Sequence, residues 1–223
     1  MQAGVPARVI RRVDKALAKR YGTAGYDGHT DLVGGLLNTI LSQNTNAANQ
    51  RVAFARLRQA FPDWDAVADA DPARIAEAIR PGGLADMKAV PIRDILRQIR
   101  RDQGRIDLGF LASLPSEEAT RYLMSFKGVG PKTAACVLMF ELGWPAFPVD
   151  THVLRICKRL GWLSPDCDAQ RAHEMMDRAI PDDVRYQLHV NMVNHGRKLC
   201  RPSNPRCAEC PIRRYCEYPD KTA

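Results

Sequence analysis

The sequence has no long hydrophobic run. The longest, Ala134 to Phe140, is seven residues, far short of the roughly 20 that a membrane-spanning helix requires, so no membrane span is expected. The first twenty residues are basic but lack the apolar stretch and small-residue cleavage site of a secretory signal. Alternation of apolar and polar residues, internal repeats and low-complexity tracts are all missing, which argues against a β protein, a solenoid and a linker. Compositional bias is missing too. With 15 Gly and 15 Pro among 223 residues, 45% hydrophobic and 26% charged, the chain is neither collagenous nor disordered. At roughly 150 residues per domain, this length makes one or two domains that can fold without disulfide staples.

Helical spacing of apolar residues recurs almost everywhere. Leu32, Val33, Leu36, Leu37, Ile40 and Leu41 form one stripe, and Val9, Val13, Ala16 and Leu17 form another, which predicts an N-terminal helix docked on a core. Caps and breakers separate the helices: Asp71 before Pro72, Pro115 opening the segment to Phe126, Asp168 before 169–179, and Pro181 after it. The expected fold class is therefore all-α, as two helical lobes with a cysteine-rich tail forming an irregular cap.

Charge points to a polyanionic partner. Lys and Arg number 33 against 25 Asp and Glu, for a net +8, and residues 197–223 supply half of it through Arg197, Lys198, Arg201, Arg206, Arg213, Arg214 and Lys221. A solvated basic tail is the plainer reading of the same residues.

Four of the seven cysteines, Cys200, Cys207, Cys210 and Cys216, are spaced C-x6-C-x2-C-x5-C. So short a loop has too few apolar residues for its own core, and bonds from thiolate to metal would order it. Structural zinc is the competitor, but zinc ligands usually come as two close pairs and only Cys207 and Cys210 make one. An iron-sulfur cluster fits the spacing better. Cys136, Cys157 and Cys167 have no cysteine near them at ligand spacing and are expected to be ordinary thiols.

The segment Leu123-Met-Ser-Phe-Lys-Gly-Val-Gly-Pro-Lys-Thr-Ala134 joins two apolar helices through Gly128, Val129 and Gly130. Two glycines allow another chain close to the backbone, and Pro131 suits a first helical position, so the N–H groups of the helix start can meet a phosphate. A plain tight turn is the alternative. Lys132 stands in that first turn, where the helix dipole disfavours an ammonium, so it is either a purposeful cation or a surface lysine. Asp150, in Pro148-Val-Asp-Thr-His152, precedes a helix expected near Val153 and reads as an N-cap, a role compatible with catalysis.

Together, Gly128-Val-Gly-Pro-Lys-Thr-Ala134, Gly143-Trp-Pro145, Val149-Asp-Thr-His152, His195-Gly-Arg197 and the four-cysteine loop resemble the endonuclease III family of helix-hairpin-helix DNA glycosylases, from about residue 30 to Tyr218. The resemblance implies a six-helix domain over 24–144 holding the hairpin at about 115–142, and a domain of 1–23 with 145–223 holding a [4Fe-4S] cluster on the four cysteines. It also implies that double-stranded DNA carrying damaged bases or abasic sites lies in the cleft between the two. Lys132 would then be the Schiff-base nucleophile and Asp150 the essential aspartate of a bifunctional glycosylase and AP lyase acting on oxidised pyrimidines. Gln43 and Leu84 would fill the gap left by a flipped nucleotide, Gly128, Val129 and Gly130 would hold phosphate, and Arg201 and Arg206 would face phosphates beside the cluster. A monomer is expected, cytoplasmic and associated with the nucleoid through DNA. Three positions depart from the family pattern, namely Asn44 after Gln43, Ala85 after Leu84, and Lys127 in place of a hairpin proline. Two other readings stay open here: a monofunctional mismatch glycosylase, and a noncatalytic DNA-structure-binding protein with structural zinc.

Overall fold

The computed structural model describes residues 5–28 and 31–219; Lys221 of the basic tail and the start of the N-terminal segment lie outside them. Among the described residues every regular element is helical, in agreement with the all-α expectation. The α-helices, in chain order, are α1 (Ala7–Tyr21), α2 (Leu32–Leu41), α3 (Ala47–Ala60), α4 (Trp64–Asp69), α5 (Pro72–Ile79), α6 (Ala85–Gln103), α7 (Ser116–Met124), α8 (Pro131–Glu141), α9 (Thr151–Arg159), α10 (Ala169–Ala179) and α11 (Arg185–Lys198). None of them is long and apolar enough to cross a membrane. The chain divides into two compact units. One takes the chain up to Asp27 and again from Gly143 onward, and the other is Gly28–Leu142.

The central unit carries α2 to α8. Each start in its first half is fixed by a short polar side chain. Asp31 accepts from the Gly34 N–H, Asn46 from Asn49, Asp63 from Ala66, and Asp71 from Ala73 ahead of Pro72. Such caps contribute about 1 kcal/mol each by meeting N–H groups that have no partner inside the helix. Helix α2 packs against α3, α6 and α8, and its stripe residues Leu36, Leu37 and Leu41 are fully enclosed. Close approach of α8 depends on Gly35, because a Cβ there would fall on the Glu141 side chain.

The other unit is built on α1, α9 and α11, with α10 beside them. Its core gathers Ile10, Val13, Leu17, Phe147, Val153, Ile156, Leu160, Leu188, Met192 and Ile212. Val13 and Leu17 take core positions as expected, but Ile10 rather than Val9 completes the buried face of α1. Cys136, Cys157 and Cys167 are all buried and form no disulfide among the described residues, and burial pushes the Cys157 thiol well above its ordinary value.

His173 on α10 is largely enclosed, and its Nε2 has no hydrogen-bond partner among the described residues. Burial, outweighing the nearby Asp177, lowers its pKa below the ordinary 6.5. The unfolded chain then binds a proton that the folded chain resists, so stability is full above about pH 6.5 and declines as the pH falls through that value. Replacing His173 with Leu should flatten the dependence of unfolding free energy on pH between 7 and 5, as read by urea titration. An unchanged slope would show that other groups set it.

Candidate functional site

The segment between α7 and α8 is a tight hairpin with its glycines turned out. Gly128 has φ +87°, a conformation that side chains other than glycine rarely adopt, and a Cβ at Gly128 or Gly130 would meet nothing within 4 Å. Gly130, with extended φ and ψ of −99° and −177°, ends at the start of α8 without a side-chain cap, and Pro131 follows at the first helical position. The first N–H groups of α8 are thus left for solvent or a ligand. Val129 behaves differently. It is 5% exposed, and its N–H donates to the Phe126 carbonyl at 3.0 Å, so its side chain pins the hairpin to the core.

Lys132, half-buried, is the second residue of α8. Asp150, in the other unit, caps α9, which starts at Thr151, two residues ahead of the expected position. Its Oδ1 accepts the N–H groups of His152 and Val153 at 2.9 and 2.8 Å, and neither bond involves Oδ2. Beside it, Arg155 donates from Nη2 to His152 Nδ1 at 3.0 Å. Burial first, and the cations Arg155 and Arg197 after it, lower the His152 pKa against the pull of Asp150, so the ring next to the aspartate is held neutral.

Gln43 leaves the end of α2 and reaches the hairpin. Its Nε2 donates to the Gly128 carbonyl at 3.2 Å and to Thr133 Oγ1 at 3.3 Å. Leu84 precedes α6 in a left-handed conformation (φ 49°, ψ 35°) and is 43% exposed. Asn44, one of the three departures from the family pattern, is also left-handed, with φ 54°, a region asparagine tolerates better than most residues. Lys88 escapes sequence reasoning altogether. It is 5% exposed, and its Nζ donates to the Leu41 and Gln43 carbonyls at 2.9 and 2.7 Å. Burial lowers its pKa. The available signal is its register, since Lys88 shares the buried face of α6 with Ala85, Ala89, Ile92, Ile95 and Leu96.

The cysteine loop follows α11. Ile212 plugs it into the core, and Cys200, Cys210 and Cys216 pack against the same cluster. Arg159 ties its two ends together. Nη1 donates to Cys200 Sγ at 3.2 Å and to the Arg201 carbonyl at 2.7 Å, while the Arg159 carbonyl accepts from the Glu217 N–H at 2.7 Å and the Cys216 thiol at 3.2 Å. His195, fully enclosed, lies between the Tyr21 hydroxyl, 2.9 Å from Nδ1, and Cys210 Sγ, 3.5 Å from Nε2. Burial pushes the Cys210 thiol up to about 11, and Cys200, Cys216 and Cys207 add to the effect. Among the described residues no three His, Cys, Asp or Glu side chains converge on a single ion position. Arg201 is exposed. Arg206 is exposed as well, but it is paired with Glu209 at 2.6 Å, so part of the positive charge expected there is already neutralised.

The model of the HhH-GPD superfamily of base excision DNA repair proteins matches residues 37–182. The chain belongs to that superfamily. Endonuclease III of Thermotoga maritima is 32% identical over 211 residues, covering 94% of this chain and 93% of that one. An Arabidopsis thaliana protein whose given name proposes a DNA glycosylase is 46% identical over 166 residues, and the chain spans 56% of its length. Rice ROS1A is 35% identical over 173 residues, of which the chain spans only 9%. Among solved structures, a non-covalent endonuclease III–DNA complex superposes with a TM-score of 0.80 at 26% identity, over 96% of both chains. This member of the HhH-GPD superfamily is endonuclease III-like in fold and helix-hairpin-helix.

The two hairpin glycines should separate by conformation. Gly128→Ala should lower stability by about 1 kcal/mol, because alanine resists positive φ, whereas Gly130→Ala should change it by less than about 0.5 kcal/mol. Denaturant unfolding of both variants checks this; equal losses would mean that crowding rather than backbone conformation sets the cost.

Proposed function

We propose that this protein is a bifunctional DNA glycosylase and AP lyase that removes oxidised pyrimidines from duplex DNA. The observation that carries the reading is Lys132, an amine in the first turn of an uncapped helix directly beyond an exposed glycine hairpin. The hairpin glycines and the start of α8 hold a phosphate through backbone donors, which positions DNA without reading sequence. The target nucleotide leaves the stack, since C1′ is not accessible within a duplex. The Lys132 amine gives up a proton and attacks C1′, the glycosidic C–N bond breaks, and the base departs with a proton. Ring opening gives a Schiff base, loss of a C2′ proton expels the 3′ phosphate, and water returns the lysine. Asp150 stabilises the cationic sugar and assists proton transfer through the oxygen its capping bonds leave unused. Relatives named endonuclease III and DNA glycosylase/AP lyase support the two activities.

Cys200, Cys207, Cys210 and Cys216 would hold a [4Fe-4S] cluster. Their C-x6-C-x2-C-x5-C spacing, with only Cys207 and Cys210 as a close pair, suits a cluster better than zinc. The Arg159 guanidinium and His195 Nε2 are placed to stabilise thiolate charge at Cys200 and Cys210. When bound, the group supplies structural order to the loop that carries Arg201 and Arg206 toward DNA phosphates. The non-glycosylase reading with structural zinc has no specific observation in its favour.

Lys132→Gln should abolish strand cleavage at abasic sites while duplex affinity stays within about threefold, because the hairpin contacts use backbone groups. Asp150→Asn keeps the cap and should unfold within about 0.5 kcal/mol of wild type, yet excise bases roughly a hundredfold more slowly. Retained cleavage in the first variant, or full activity in the second, would overturn the assignment of that residue. Anaerobically purified protein should be yellow-brown with about four irons per chain; stoichiometric zinc without iron would overturn the cluster.

A further inference from the structure

The two loops that carry Gln43 and Leu84 are far apart in sequence, and the hydrogen bonds between them run through one buried side chain. The last carbonyls of a helix have no partner inside it and carry negative partial charge. At the end of α2 two such acceptors, Leu41 and Gln43, turn to the Lys88 ammonium at 2.9 and 2.7 Å. Lys88 stands one turn into α6, and its own N–H donates to the Leu84 carbonyl at 3.0 Å. From the same loop the Gln43 amide reaches the hairpin at Gly128 and Thr133. The bonds therefore run without a break from the Leu84 turn, through Lys88, to the Gln43 loop and on to the hairpin.

Each loop also holds a left-handed residue that is not glycine, Asn44 beside Gln43 and Leu84 itself. Such backbone persists only where surrounding contacts fix it. An apolar side chain at position 88 would suit a core helix better, because burying a charge carries a desolvation cost that two carbonyls only partly offset. The charge has its use in the geometry it imposes.

We infer that Lys88 is a positioning residue for nucleotide extrusion, fixing the Gln43 loop to the Leu84 turn so that both probe the duplex as one body. This rests on the glycosylase reading above. Lys88 touches neither the sugar nor the base in this scheme; it acts through Gln43 and Leu84. Its contribution is therefore large where a stacked base must be expelled and small where no base remains.

The test compares single-turnover excision from a duplex containing thymine glycol with borohydride trapping on a preformed abasic site, in wild type, Lys88→Met, Gln43→Ala and the double variant. Lys88→Met should slow excision by about tenfold or more and trapping by no more than about threefold, since extrusion is the step that works against stacking and pairing. The double variant should lose less than the product of the two single losses, because Lys88 acts in part through Gln43. Equal loss on both substrates, or independent losses that multiply, would overturn the role and leave Lys88 a packing residue. Should Lys88→Met fail to fold at the assay temperature, the same ratio is read on Lys88→Gln, whose shorter amide cannot span both carbonyls; selective loss supports the role and equal loss overturns it. A wild type that neither excises nor traps would overturn the glycosylase reading itself, and the role of Lys88 with it. An active wild type with an unselective Lys88 variant overturns the Lys88 role alone.

Discussion

Among the described residues, eleven helices leave unpaired N–H groups at every start and unpaired carbonyls at every end, and the way these groups are met decides where the protein is closed and where it is open. Aspartates and an asparagine close the starts of α2 to α5, α9 and α10. Lys88 closes the end of α2. The starts of α1, α6, α7, α8 and α11 carry no side-chain cap, and among these the starts of α6 and α8 adjoin Leu84 and the glycine hairpin. Free donors of this kind suit the phosphate contact proposed for the hairpin, and the two capping bonds of Asp150 use only Oδ1.

The cysteine loop obeys a related constraint. It has one buried apolar anchor, Ile212, and otherwise relies on polar bonds to be ordered. Arg159 supplies several of them, meeting the sulfur or the backbone at both ends of the loop and stacking its guanidinium on Tyr218 at 4.2 Å. His195 joins α1 to the loop by standing between Tyr21 and Cys210.

Much of this was legible in the amino-acid sequence because it is local. The α2 stripe, the Asp71-Pro72 start, the bounds of α10 and the glycine hairpin each depend on residues within a turn or two of one another, where spacing and capping chemistry operate. The Val129 side chain turns into the core between two outward glycines, a burial that leaves open the backbone contact with phosphate expected of the hairpin. Arg206, expected to face phosphates, is paired with Glu209 three residues on. Lys88, Arg159 and His195 were not legible as site residues. Their partners are backbone carbonyls, sulfurs or a hydroxyl from 15 to 174 positions away, and no local spacing encodes a contact of that kind. Ile10 displaced Val9 from the core because α1 faces α11 at an angle that only packing determines.

The central claim is that the Lys132 amine is the nucleophile of an enzyme acting on oxidised pyrimidines. The most direct measurement incubates the purified, iron-loaded protein and borohydride with duplexes carrying thymine glycol, dihydrouracil, an abasic site or a mismatch, and maps the modified peptide by mass spectrometry. The account predicts a covalent adduct with the first three duplexes, located on Lys132, and none with the mismatch. An adduct on another amine, or release of the mismatched base with no adduct on any duplex, would contradict it.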